Sequence, residues 1–389
     1  MAGIYVHIPF CKSRCVYCDF FSTTREGDVE NYVSALTHEI EQRRHDVLSQ
    51  GTACKATVAT IYFGGGTPSM LTPGQLHDIL EAIRRNYAVD RDAEVTLEMN
   101  PDDVDRWDDV PHLGVNRVSL GIQTFDDRLL TLIRRRHDAP TAVEAVKNLQ
   151  RQGIGNISID LIYGLPGQTI ELWQRDLDTA FALGIQHISA YALSFEPGTT
   201  LSRWRSQGRV SEAPDELSVE MFAMLCDKAR QAEFQHYEIS NFARPGYASR
   251  HNSSYWAGGP YLGFGPAAHS FDGLRTRRAN IPDLDEYLRC WTTADPLACA
   301  GNIKVHAASL EILSDDELYE EAVMCGLRTA RGINLDDIER RFGDERLSVL
   351  LATAESHIRA GRLMLSDNRL RINEKSLMTS DDIMSDFML

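Results

Sequence analysis

The sequence predicts an α/β protein: an open, partial (β/α)6 barrel followed by a C-terminal, mostly helical, winged-helix-like domain. Three observations lead there. Strand-like and helix-like stretches alternate six times between Gly3 and Ala192, the unusual polar residues fall at or just beyond the C-terminal ends of those strands, and from Ser314 the chain reads as helices closed by a hairpin. Such alternation implies parallel βα units with right-handed crossovers, and six units rather than eight leave the barrel unclosed. The expected division is a partial barrel over residues 1–235, a connecting segment over 236–310 and the winged-helix-like domain over 311–389.

The first strand, Gly3 to Phe10, runs directly into Cys11, Cys15 and Cys18. From Val29 to Leu48 the apolar residues mostly share one helical face. The second strand, Val58 to Phe63, ends on Gly64-Gly65-Gly66-Thr67-Pro68-Ser69 and leads into a helix from Pro73 to Tyr87. Further strands follow at Glu94 to Met99, Arg117 to Ile122, Asn156 to Ile162 and His187 to Ala192, with helical stretches through Arg135, from Pro140 to Gln152 and from Thr169 to Leu183. The strands deliver, in order, the cysteines, the glycines, Glu98 with Asn100, Gln123, Asp160, and Tyr191 with Ala192 to one rim, where the active sites of parallel barrels lie. Beyond Pro197 come a helix from Asp215 to Glu233, a short strand at Tyr237 to Ile239 and a long Gly- and aromatic-rich loop from Asn241 to Phe271. Loops of that length are usually functional. Helices at Asp315 to Thr329, Leu335 to Phe342 and Arg346 to Ala360 precede a hairpin between Arg362 and Ile372.

Composition narrows the function. The 389 residues carry a net charge of −16, which argues against a broad phosphate-binding surface and so against nucleic acid as partner. The basic triplet Arg134-Arg135-Arg136 reads either as a local patch or as a solvated helix end. No apolar run approaches the roughly 18 residues of a membrane-spanning helix, and Gly3 to Phe10 is too short to be a secretory signal, so a soluble, cytoplasmic protein is expected. Of the eight cysteines, Cys54, Cys226, Cys290, Cys299 and Cys325 are scattered and read as buried packing residues rather than a disulfide framework.

The clustered three form C-x3-C-x2-C, a spacing with which one loop can hold three corners of an iron–sulfur cube and leave one iron open. An open position is what a catalytic metal centre keeps. A three-cysteine zinc site is the alternative, although structural zinc takes four ligands and neither a second C-x2-C pair nor a nearby histidine follows. Gly64, Gly65 and Gly66 let the backbone approach a ligand and aim its N–H groups at it, or simply make a tight turn. Glu98 ends an apolar strand, where a carboxylate needs a partner to offset its desolvation.

With Tyr5-Val6-His7-Ile8-Pro9-Phe10-Cys11 and Cys18-Asp19-Phe20, the chain resembles the radical S-adenosylmethionine (SAM) enzymes, within the branch of oxygen-independent coproporphyrinogen III oxidase and its heme-chaperone relatives of HemW type. The resemblance implies a [4Fe–4S] cluster on Cys11, Cys15 and Cys18. It also implies SAM contacts from Tyr5, Gly65, Gly66, Thr67 and Glu98 on the first three strands, and from Gln123, Arg135, Asp160, Ile162 and Ala192 beyond them. Two departures set the chain apart from the oxidase: Phe20 stands where the oxidase has a fourth cysteine, and little sequence precedes Tyr5. His251-Asn252-Ser253-Ser254-Tyr255-Trp256 instead resembles the H-N-x-x-Y-W signature of the heme chaperones, which makes His251 the candidate heme ligand. The implied function is a cytoplasmic heme chaperone that delivers heme to recipient hemoproteins such as respiratory enzymes, with any membrane contact peripheral and through the recipients. Oxidative decarboxylation of coproporphyrinogen and radical chemistry on another substrate are the alternatives.

Overall fold

The protein is described from a computed structural model that covers residues 2–46, 57–292 and 308–389. Strand β1 (Ala2–Ile8) is buried on both faces along nearly its whole length, as a central parallel strand requires. It is followed in space and in sequence by β2 (Val58–Gly65), β3 (Val89–Met99), β4 (Arg117–Gln123), β5 (Ile157–Tyr163) and β6 (His187–Ala192), all parallel. The crossovers carry α1 (Val29–Gln42), α2 (Pro73–Asn86), α3 (Asp127–Leu132), α4 (Ala139–Arg151) and α5 (Ile170–Ala182). Local chemistry sets their starts: Thr72 and Gln75 form a capping box ahead of α2, and the Asp138 and Thr169 side chains cap α4 and α5. The apolar faces of these helices close one continuous core over the sheet.

The barrel does not close, because β1 and β6 take other neighbours. After α6 (Thr200–Ser206) and α7 (Asp215–Gln231) come β7 (Gln235–Glu238), β8 (Asn241–Ala243), α8 (Arg250–Trp256), β9 (Tyr261–Phe264), β10 (His269–Phe271), β11 (Thr276–Asn280), α9 (Leu284–Thr292) and β12 (Ala308–Ile312). Antiparallel β8 and then β7 extend the sheet beyond β6, while β9 lies parallel to β1 and is followed outward by β10, β11 and β12. The stretch expected as a long loop from Asn241 to Phe271 is therefore largely strand and helix. Its strands are three or four residues long, too short to show a period of two. Gly263 is required there, since a Cβ would lie 2.0 Å from the His269 carbonyl oxygen.

A buried polar knot fastens these added strands to α1. Arg43 donates to Glu39 Oε1 and to the Gly263 carbonyl, each at 2.7 Å, while Tyr287, Asn280 and the Gly265 amide donate to the Glu39 carboxylate. With its hydrogen bonds satisfied, such a pair is tolerated in a core; removing one partner would typically cost 3–5 kcal/mol. Helix α1 ends at Gln42, and the expected continuation to Val47 and Leu48 lies outside the described residues, as do Cys54 and Cys299.

The C-terminal domain has its own core, formed by α10 (Asp315–Leu327), β13 (Ile333–Asn334), α11 (Leu335–Arg359), β14 (Leu363–Ser366), β15 (Arg369–Ile372) and α12 (Ser380–Ser385). The three strands pair antiparallel in the order β13-β15-β14. Gly343 breaks α11 with φ 83°, which explains why the sequence reads as two helices at that point. Among the described residues no helix is long and apolar enough to cross a membrane.

Candidate functional site

Two cavities lie side by side. The first, of about 470 Å³, opens at the C-terminal ends of β1 to β6 and is lined by Cys11, Cys15 and Cys18 together with Gly65, Gly66, Thr67, Glu98, Gln123, Arg135, Asp160, Ile162 and Ala192. The structure thus brings together all the residues expected around a cluster and SAM except Tyr5.

The strand ends build this cavity in ways that need particular residues. Gly66 must lack a side chain, since a Cβ would stand 2.9 Å from the carbonyl oxygens of Ile8 and Phe10. Gln123 closes β4 with φ 73°, a left-handed conformation costly for a non-glycine residue and concentrated at functional sites. Thr67 donates to Cys11 Sγ at 3.4 Å and accepts from Asn100 at 3.3 Å. Arg135 reaches Cys15 Sγ at 3.5 Å, Asn100 Oδ1 at 2.6 Å and the Gly121 carbonyl. Its neighbours line the same cavity with other partners: Arg136 pairs with Asp102 at 2.7 Å, and Arg134 stacks over Trp204. Arg134 is exposed just past the end of α3, while Arg135 and Arg136 are partly buried.

The electrostatics favour a positively charged occupant. Burial pushes the Cys18 thiol up to about 11, and neighbouring Cys15 and Cys11 thiolates push the same way; burial also raises Cys11. Three thiolates can share such a loop only when a metal centre neutralises them, so the donor set fits an iron–sulfur cluster. Burial raises Glu98 to about 7 despite hydrogen bonds from Tyr62, at 2.7 Å, and from the Gly65 backbone. Asp160 is likewise raised by burial, and Ser119 donates to it at 3.2 Å.

The second cavity, of about 730 Å³, is walled by aromatic rings: Tyr5 and Tyr62 from β1 and β2, Tyr255 and Trp256 from α8, Tyr261 and Phe271 from β9 and β10. Helix α10 adds Met324 and Cys325, and two cations, Arg277 and Arg341, stand on its wall. Tyr5 belongs here. It sits three residues below the end of β1, about 10 Å down the strand at about 3.3 Å per residue, and its hydroxyl bonds His7 Nδ1 at 3.1 Å.

His251 also lines this cavity, but only 2% of it is exposed. Its ring packs against Tyr62 with centroids 5.1 Å apart, and both nitrogens are engaged, Nδ1 with the Thr60 hydroxyl at 2.8 Å and Nε2 with the Tyr255 hydroxyl at 2.9 Å. Gly3 makes room for it, since a Cβ there would lie 3.3 Å from the ring. Burial pushes His251 down to about 3, so the ring is neutral. Sequence reasoning missed most of this chamber, whose walls come from segments far apart in the chain. The two cavities share a wall, formed by Phe20, 64% exposed, and Tyr191.

Comparison with known proteins matches this geometry. The family profile described as the Radical SAM superfamily matches residues 5–180, and that of the HemN C-terminal domain matches residues 313–378. The heme chaperone HemW of Synechocystis sp. is 40% identical over 357 residues, covering 89% of this chain and 82% of that protein. The heme chaperone HemW of Bacillus subtilis is 30% identical over 392 residues, covering 100% of this chain and 99% of the relative. Among solved structures, the coproporphyrinogen III oxidase HemN of Escherichia coli superposes with a TM-score of 0.80 at 22% identity, over 100% of this chain and 90% of that one, which shows a common fold.

Proposed function

The chain belongs to the HemW family of radical SAM proteins, and from that membership we propose that it is a cytoplasmic heme chaperone, with a [4Fe–4S] cluster and SAM in the first cavity and heme carried in the second. The observation that carries the reading is the second cavity itself: the H-N-x-x-Y-W segment supplies Tyr255 and Trp256 to an aromatic chamber beside the cysteine loop. Heme offers a broad apolar face and two carboxylates. Aromatic walls suit the first and Arg341 suits the second, as would Arg277 on release from Glu321 on the same wall.

In the first cavity Cys11, Cys15 and Cys18 would hold the cluster, and Gly65, Gly66, Thr67, Glu98, Gln123, Arg135, Asp160, Ile162 and Ala192 would hold SAM. When bound, the reduced cluster supplies an electron for reductive cleavage of SAM. The chain's own residues position and shield. Gly65 and Gly66 expose backbone to the ligand, Glu98 and Asp160 accept hydrogen bonds from it, Arg135 offsets the charge of Cys15, and Phe20 with Tyr191 covers the side toward the second cavity. Tyr5 we assign to the heme wall.

His251 can ligate iron only by releasing the Tyr255 hydroxyl, whereas Met324, Cys325 and His269 stand on the same cavity without that requirement. Titration of heme into wild type and His251→Ala separates these cases: an unchanged Soret position in a less stable variant makes His251 a positioning residue, and a shifted band makes it the ligand. The carrier reading is tested anaerobically with reductant, SAM and coproporphyrinogen III. No protoporphyrinogen is expected, and multiple turnovers would overturn it. Recipients are hemoproteins, among them respiratory enzymes, reached by protein contact and at membranes only peripherally; the net charge of −16 supports a partner other than nucleic acid.

A further inference from the structure

Away from both cavities, three side chains from three elements converge. Cys226 comes from α7, His236 from β7 and Glu374 from the 3-10 turn Glu374–Thr379 that follows β15. One ligand atom of each lies within 4.8 Å of the others. His236 Nδ1 stands 4.0 Å from Cys226 Sγ and 3.6 Å from Glu374 Oε1.

The surroundings fix how these groups present themselves. His236 Nε2 lies 3.1 Å from the Ile239 carbonyl, a partner that can only accept, so the neutral ring carries its proton on Nε2 and turns the Nδ1 lone pair toward the sulfur and the carboxylate. The ring is held flat against Phe242, centroids 4.0 Å apart and planes at 15°. Arg230 takes Glu374 Oε2 at 2.8 Å and leaves Oε1 facing the histidine. At 3.6 Å that carboxylate oxygen is beyond hydrogen-bond length from Nδ1. A sulfur, a nitrogen lone pair and a carboxylate oxygen thus face one another, with only a long contact from the Cys226 S–H to relieve them.

We propose that Cys226, His236 and Glu374 form a divalent-cation site of zinc type, distinct from the cysteine loop. One thiolate sulfur, one imidazole nitrogen and one carboxylate oxygen are a zinc donor set, and water would complete a tetrahedron. The Ile239 carbonyl is the usual second partner of a metal-bound histidine. Cys226 would bind as thiolate, its proton passing to solvent as the cation enters. The site also has a structural consequence. The turn that begins at Glu374 carries Leu377 and Met378 against the main core, and Leu377 also touches the C-terminal core. The ion would clip the C-terminal domain to α7 and β7.

The test uses the full chain with its cluster reconstituted anaerobically, equilibrated with Zn²⁺ and desalted. One zinc per chain is expected in wild type, its loss in Cys226→Ser and His236→Gln with cluster content and elution volume unchanged, and its retention in Cys290→Ser. Co²⁺ provides a second readout: a thiolate-to-cobalt charge-transfer band should survive alanine substitution of Cys11, Cys15 and Cys18 and vanish in Cys226→Ser. Zinc absent from folded wild type, zinc retained undiminished in both variants, or a cobalt band that disappears with the loop cysteines would each overturn the proposal. Should Cys226→Ser fail to fold, Glu374→Gln on its half-exposed turn decides, since unchanged zinc affinity there overturns it equally.

Discussion

The first cavity is built in sequence order, each strand from β1 to β6 contributing what lies at its end; the second is assembled from segments hundreds of residues apart and is far richer in aromatic rings. In the first, glycine backbone and charged side chains line the space, the latter held in place by neighbours: Glu98 by Tyr62, Asp160 by Ser119, and Arg135 by Cys15 and Asn100. In the second, polar atoms are already spent on one another, as in the Thr60, His251 and Tyr255 chain and the Arg277 and Glu321 pair, so much of what a ligand meets is ring surface, with Arg341 beside it. A small polar molecule is held by hydrogen bonds and charge, a flat macrocycle by removal of apolar area from water. The difference between the walls is therefore a difference in the kind of ligand each suits.

The largest expected effect breaks one cavity and leaves the other. Replacing Cys11, Cys15 and Cys18 together by alanine should abolish the [4Fe–4S] electron paramagnetic resonance signal and its response to SAM. Heme binding should persist, because no cysteine of the loop lines the second cavity. Loss of heme binding as well would mean that the shared wall of Phe20 and Tyr191 depends on the loaded loop.

The converse break is Trp256→Ala. Removing the ring should weaken heme binding by about 2 kcal/mol, roughly thirtyfold in Kd, with SAM affinity unchanged. Arg328 stacks over Trp256 at 4.8 Å, so the variant also loses a contact to the C-terminal domain, and thermal unfolding should be followed alongside the heme titration. An unchanged heme Kd in a folded variant would place heme outside this chamber.

How much was legible in the sequence follows the same division. The six parallel strands, the cysteine loop and the glycine turn are local words, and their burial patterns and caps repeat what the residues imply. The break in α11 at Gly343 was legible for the same reason, since a glycine beside Asp344 interrupts the helical pattern. Short edge strands were not. β8, β9 and β10 take their pairing from neighbours already folded, and the Glu39 and Arg43 knot that seats them joins residues more than 200 positions apart. Tyr5, expected among the SAM contacts, lines the second cavity, while its ring stands beside the Glu98 carboxylate that lines the first. Of the scattered cysteines, Cys226 is buried as expected, while Cys290 and Cys325 are only partly so.

A finer separation comes from Tyr62, which serves both cavities with different atoms: its hydroxyl donates to Glu98 in the first, and its ring lines the second and packs on His251. Glu98 is raised to about 7 chiefly by burial, so across neutral pH it passes from a carboxyl to a carboxylate. The carboxylate is the better acceptor for hydroxyl and amino donors and the better partner for a cationic ligand. SAM binding should therefore tighten as pH rises through about 7, level off above it and weaken as the carboxylate is protonated below it. The Tyr62 hydroxyl lowers the Glu98 pKa by bonding its charged form, so Tyr62→Phe should move this profile to higher pH. Near neutrality it should weaken SAM binding by about 1 kcal/mol, roughly fivefold. Because phenylalanine keeps the ring, heme affinity should not change, whereas Tyr62→Ala should weaken both ligands. Calorimetric titration of SAM into the reconstituted protein, paired with heme titration of the same samples, reads the two effects. A Tyr62→Phe variant with an unshifted SAM profile would remove Glu98 from the ligand's contacts, and one that loses heme would show that the hydroxyl, and with it the polar side of the shared architecture, reaches into the second cavity.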